Sequence, residues 1–143
     1  MPSTQVKTFE HVARNSRLSQ ITGFNEGSDL THIVRVRLLD GVARRVDHNY
    51  FLSSAVPDLT PQIASSSIYR HLEKDLSLKI LTTKRSISVR LASDEDMTYP
   101  DLGPYNCVAA VENQSLNSNG IMFEYTQARN HPSSFYYRLV SRW

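Results

Sequence analysis

The side chains of this chain best suited to chemistry are its cations. Arg35, Arg37, Arg44, Arg45, Lys84, Arg85 and Arg90 all fall between residues 35 and 90. Guanidinium and ammonium groups bind phosphate oxygens, and aromatic rings among them stack on bases. With Tyr50, Tyr136 and Tyr137, this set reads as a sequence-tolerant surface for single-stranded RNA or DNA. No RNP-type octapeptide, GxxG clamp or zinc knuckle accompanies it, and a pI near 8.8 is only mildly basic. The plainer alternative is that the arginines solvate an exposed sheet face.

Other chemistry finds less support. His11, His32, His48, His71 and His131 stand in separate stretches without HxH or HExxH spacing, so no metal ligand set is assigned. Ser, His and Asp occur, but no GxSxG elbow holds a nucleophile. Cys107 lies in the apolar run YNCVAAV, where a small buried hydrophobe is expected, and as the sole cysteine it excludes an internal disulfide. Glycine-rich phosphate loops are absent, and Asp94-Glu95-Asp96 reads as a solvated acidic edge. No catalytic residue and no cofactor is therefore assigned, and the chain reads as non-enzymatic.

The arginines must be positioned by a hairpin. Val34, Val36 and Leu38 alternate with Arg35 and Arg37, the period of a strand with one buried and one wet face. Asp40-Gly41 follows, a pair suited to a type I′ turn because both central residues need positive φ. The return arm runs from Val42 to Leu52, with Asp47 and His48 pointing to opposite faces.

The flanking segments complete an α+β design. Residues 5–24 alternate weakly, suggesting two short strands turning at Asn15-Ser16, with a first helix as the competing expectation. Thr60 caps and Pro61 opens a central helix over about residues 61–75, since Ala64, Ile68, Leu72 and Leu76 form one apolar stripe. Three consecutive serines weaken it locally. Strands are expected at 78–91, 105–112, 121–128 and 135–142, with 114–120 as a loop too long for a minimal hairpin. The expected fold is thus a mostly antiparallel sheet of about six to eight strands with the helix packed on it. At 143 residues the chain reads as one domain, 1–143.

Charge and aromatics shape the functional expectation. Residues 30–91 hold ten Lys/Arg against five Asp/Glu, whereas residues 92–143 hold three against six. Phe123, Tyr125, Phe135, Tyr136, Tyr137 and Trp143 are more aromatic surface than one inner face hides, which marks Phe135, Tyr136, Tyr137 and Trp143 as an interface in a homo-oligomer. No membrane-length apolar run or signal peptide is visible, so the expected place is the cytoplasm or a virion. The leading expectation is a structural protein that self-associates through its sheet around nucleic acid, as a small viral coat or matrix protein does. The alternatives are a small RNA-binding or regulatory domain, and a cavity-type α+β enzyme.

Overall fold

The computed structural model describes residues 1–13, 16–25 and 27–142. It is built on one six-stranded antiparallel sheet. In chain order its elements are β1 (Pro2–Ala13), α1 (Ser16–Thr22), β2 (Asp29–Leu39), β3 (Val42–Leu52), α2 (Pro61–Ser65), α3 (Ile68–Arg70), β4 (Ile80–Leu91), α4 (Asp94–Thr98), β5 (Cys107–Asn117) and β6 (Met122–Asn130). A π-helical turn, His71–Asp75, continues α3, and a 3₁₀ turn, Pro132–Ser134, follows β6. The spatial strand order is β1-β2-β3-β6-β5-β4, so β1 and β4 are the edges. The expected fold class, a mostly antiparallel sheet with helical cover, is the one observed.

The hairpin forms as its turn chemistry dictates. Asp40 and Gly41 take φ of 52° and 80°, and Leu39 pairs with Val42 across them. Gly23 closes α1 at φ 88°, where an added Cβ would lie 2.5 Å from Gln114 Nε2.

Several expectations are corrected. The central helix is interrupted: Ser66 leaves helical geometry and Ser67 restarts the chain, its hydroxyl accepting from the Arg70 amide. The serines compete for the backbone here, as their chemistry allows. Burying Ile68 and Leu72 contributes on the order of 3–6 kcal/mol, against a propensity loss of about 0.5 kcal/mol per serine, so the pieces stay docked. Residues 135–142 form no strand, because no neighbouring strand receives their backbone groups. β5 runs to Asn117, well into the expected loop, so β5 and β6 meet at a short turn. The N-terminal stretch is one long strand and a helix; Asn15 of the expected turn lies outside the described residues.

Arg35 departs most from expectation. It is 5% exposed, not on a wet face. Both faces of β2 are covered. On one face, Ile33 and Phe51 pack with Val56, Ala64, Ile68, Leu72 and Phe123, under α2 and α3. On the far face, Phe24 packs with Leu30 and Tyr125. Phe123 reaches the helix side because it is an extra residue: Leu116 pairs with Met122 and Ser115 with Glu124. The acidic run is not a solvated edge either. Asp96 is fully buried at the start of α4, where it and Ser93 form a reciprocal capping box.

Candidate functional site

Register determines which side chains meet. Arg35 pairs with Asp47, Asn49 with Thr126, and Glu124 with Ser115, so all six share the helix-side face. They are joined by a continuous chain of polar contacts. Arg35 Nε donates to Asn49 Oδ1 at 2.9 Å, and Asn49 Nδ2 donates to Thr126 Oγ1 at 2.9 Å. Thr126 Oγ1 donates to Glu124 Oε2 at 2.8 Å, as does the Tyr69 hydroxyl from α3. Ser115 Oγ donates to Glu124 Oε1 at 3.0 Å. Arg35, Asp47, Asn49, Ser115, Glu124 and Thr126 are all buried.

One carboxylate faces three guanidiniums at the other end of the stripe. Asp47 lies 3.4 Å from Arg35 Nη2, 3.7 Å from Arg37 Nη1 and 2.7 Å from Arg45 Nε. The Arg45 Nε–H is not aimed at Asp47 Oδ1, so both buried atoms are left without a hydrogen bond. Burial lowers the Arg35 pKa, Asp47 counters it, and Arg37 and Arg45 add to the lowering. Burial also lowers that of Arg37, and Arg45 lowers it further. Burial and the neighbouring Glu124 push the Tyr69 phenol far above its ordinary value. Tyr69 remains 44% exposed, so its ring edge faces solvent while its hydroxyl is tied inward.

Cover is uneven on this face. The helices lie over β1 and β2 and the adjoining core. Over β5 and β4 the same face is open: Ala109, Val111 and Asn113 are partly exposed, and Arg85, Ile87 and Val89 exposed. The buried stripe therefore borders an accessible half-face.

The far face is polar in a different way. Arg129 Nε bonds both Asp96 oxygens, at 3.0 and 2.9 Å, and its Nη2 donates to Leu91 O. His32 lies 2.9 Å from Glu10 and stacks on Tyr50 at 4.2 Å, while His48 lies 2.6 Å from Glu95. Tyr125 donates to Glu112, which also pairs with Arg90.

Of the seven cations singled out in the sequence, the fold gathers Arg35, Arg37 and Arg45 around Asp47, with Arg44 beside them. Arg85 bonds Asn113 on the distant edge strand, and Lys84 and Arg90 occupy the other face there. They do not form one continuous surface. Tyr136 and Tyr137 are exposed on the C-terminal segment, Phe135 is partly exposed, and Trp143 lies outside the described residues. Sequence reading missed Asn49, Ser115, Glu124 and Thr126 as site residues. The one available signal was Glu124, a lone acid within the apolar run IMFEY. Among the described residues no His, Cys, Asp or Glu group is arranged to hold a metal, and no helix is long and apolar enough to cross a membrane.

A six-stranded antiparallel sheet with broken helical cover and a polar stripe beneath it defines a known class. The chain belongs to the UTRA domain family, whose model matches residues 1–136. It is 32% identical over 111 residues to the HTH-type transcriptional regulator TreR of Bacillus subtilis, covering 78% of this chain and 47% of that protein. It is 21% identical to the transcriptional repressor NagR of the same organism over 127 residues, 89% of this chain and 52% of that one. Among solved structures, the effector binding domain of the B. subtilis trehalose repressor superposes with a TM-score of 0.89 at 28% identity, covering 98% of this chain and 97% of that one. The chain spans about half the length of the curated relatives it matches. These findings overturn the expectation of a viral coat or matrix protein, and with it the capsid and virion reading; the regulatory-domain alternative is the one they support.

Proposed function

We propose that this chain is a single, non-enzymatic, ligand-sensing domain of a cytoplasmic transcriptional regulator, taking a small polar effector on the helix-side face. The observation that carries this reading is the buried stripe from Asp47 to Glu124 beside an open half-face. Buried polar chains cost stability relative to apolar side chains of the same volume, whereas a site that must orient a polar ligand requires convergent donors and acceptors. Asp47 and Glu124 accept; Asn49, Ser115, Thr126 and Tyr69 both donate and accept. Such a set suits a ligand with many hydroxyls, a sugar above all. The likeness to an effector binding domain supports it.

In this reading the ligand enters over β5 and β6 and displaces Tyr69 from Glu124. Tyr69 sits just after the break at Ser66-Ser67, so α3 can shift while α2 stays docked. Its displacement is what an attached DNA-binding partner would sense. The test is a melting screen of the purified chain against sugars and sugar derivatives, followed by calorimetry. A true effector at about 100 times its Kd raises Tm by roughly 5–10 °C, and Glu124→Gln weakens binding about tenfold or more. A screen in which nothing shifts the melt, or in which Glu124→Gln binds like the parent, sinks the reading.

A second reading concerns self-association, favoured by the exposed apolar Tyr136, Tyr137, Leu139 and Val140 in a segment without strand partners. Homo-oligomerisation through this segment, with Phe135 at its base, is read out by light scattering. A monomer that Tyr136→Ser and Tyr137→Ser leave unchanged refutes it.

A further inference from the structure

We propose that His131 is a proton-operated catch on the C-terminal segment: as a neutral ring it pins the first turn of the segment, and on taking a second proton it lets that turn go. The ring sits where the end of β6, the loop 99–106 and the 3₁₀ turn Pro132–Ser134 meet, and it is 6% exposed. Its backbone amide donates to Arg44 O at 2.9 Å, which anchors the residue to β3.

Main-chain partners decide the tautomer. The Ser133 amide, which can only donate, lies 3.1 Å from Nδ1, and the Ser133 hydroxyl lies 2.8 Å from the same nitrogen. The Asp101 carbonyl, which can only accept, lies 3.0 Å from Nε2. Nδ1 therefore carries the lone pair and Nε2 the hydrogen. Tyr105 stands edge-on to the ring at 5.6 Å. In this form His131 is the N-cap of the 3₁₀ turn, which leads directly into Phe135 and the exposed Tyr136, Tyr137, Leu139 and Val140.

A second proton can go only to Nδ1, where it meets the Ser133 N–H head on. The Ser133 hydroxyl can turn to accept from it; the amide cannot, so the turn loses its cap. No carboxylate among the described residues contacts the ring. The Asp101 side chain turns back on its own loop, accepting from the Gly103 amide at 3.0 Å. The charged groups of β3 at this end are Arg44 and Arg45, which line the adjoining cavity with Ser134. On β5, whose Ala109 pairs with Asn130, the nearest titratable group is the Cys107 thiol. In the segment itself Arg138 lies over the Tyr136 ring. His32, His48 and His71 differ, since each lies against a carboxylate and keeps that contact when charged. Imidazole as a class changes charge between about pH 5 and 8, so the catch is closed in the neutral form and opens on acidification.

The test is NMR of the isotope-labelled chain from about pH 7.5 to about pH 5.5, with light scattering at both ends of the range. At the upper end the imidazole nitrogen shifts are expected to show His131 with its hydrogen on Nε2. At the lower end the Ser133 amide, corrected for the intrinsic pH dependence of exchange, is expected to exchange about tenfold faster or more. His131→Asn keeps a capping oxygen and cannot titrate; His131→Gln is the second substitution should the asparagine form melt early. Both are expected to abolish the acceleration. A hydrogen on Nδ1 at the upper end, a ring still neutral at the lower end, no acceleration in the parent, or an acceleration that either variant retains overturns the catch. For its consequence in solution the catch rests on the self-association reading: opening is expected to change the mass of the parent and not that of the variants. An opening that leaves the mass unchanged upholds the catch and fails that reading.

Discussion

The two faces of the sheet both carry polar groups, buried on the helix side and, Asp96 apart, only partly buried or exposed on the far face, and they leave them in different states. On the far face most charges close on local partners: Asp96 with Arg129, His48 with Glu95, Glu112 with Arg90. These contacts fix α4 and β4 to the sheet. On the helix side the stripe ends in guanidiniums that outnumber their carboxylate and in a phenol half open to solvent. Closed pairs hold a structure together; an unbalanced chain at the margin of an open face is poised to receive something. Polarity alone does not mark a site, and the residual imbalance does.

The sharpest way to break this contrast is to remove one buried carboxylate from each face. Asp47→Ala leaves three guanidiniums without a counter-charge, and Asp96→Ala leaves Arg129 unpaired and uncaps α4. Each is expected to lose about 3–5 kcal/mol in urea unfolding. Asp47→Ala should also weaken binding of any sugar that raises the parent's melting temperature, and Asp96→Ala should not; equal weakening in both would erase the distinction between the faces.

A smaller effect appears at high pH. Tyr69 on the helix side and Tyr125 on the far face both have phenols raised well above the ordinary value of 10.0, by burial first and then by Glu124 and Glu112 respectively. Because the folded form holds these protons more tightly, their contribution to stability is complete below about pH 10 and falls away as pH rises above it. Phenolate absorbance should show two of the seven tyrosines withheld until the chain unfolds. Tyr69→Phe and Tyr125→Phe should each leave one fewer withheld, at a cost of roughly 1 kcal/mol. Full titration of all seven in the folded protein would contradict the buried hydroxyl contacts.

The least effect is expected at the rim of the far face. His48→Gln removes a partly exposed contact with Glu95 and should change stability by no more than about 1 kcal/mol. Ligand affinity should be unaltered, as measured by the same calorimetry. A His48→Gln chain that loses ligand binding would move the site to the wrong face.

Much of the fold was legible because local rules specify it. Asp40-Gly41 specified a hairpin, Thr60-Pro61 a helix start, and the alternation through Ile87, Val89 and Leu91 a strand. The site was legible only in fragments. Arg35 was visible as a cation, but its burial was not, since α2 and α3 pack on the same face of β2 from a distant part of the chain. Glu124 and Thr126 looked like ordinary strand residues until register set them against Ser115 and Asn49. The strand expected at residues 135–142 failed for the complementary reason: alternation says a segment can pair, and not whether an edge is there to receive it.

What the sequence determined by itself is what depends on near neighbours: turn geometry, helix caps, strand periodicity and the concentration of arginine in one hairpin. Only the tertiary structure decided which face each charge occupies. The bulge beside Leu38 turns Arg44 to the side of Arg45, and the one beside Phe123 places that ring and Glu124 together on the helix side. The side-chain period of a strand is two, so one inserted residue reverses every assignment beyond it. A bulge is specified by packing across strands, which no local window of sequence contains.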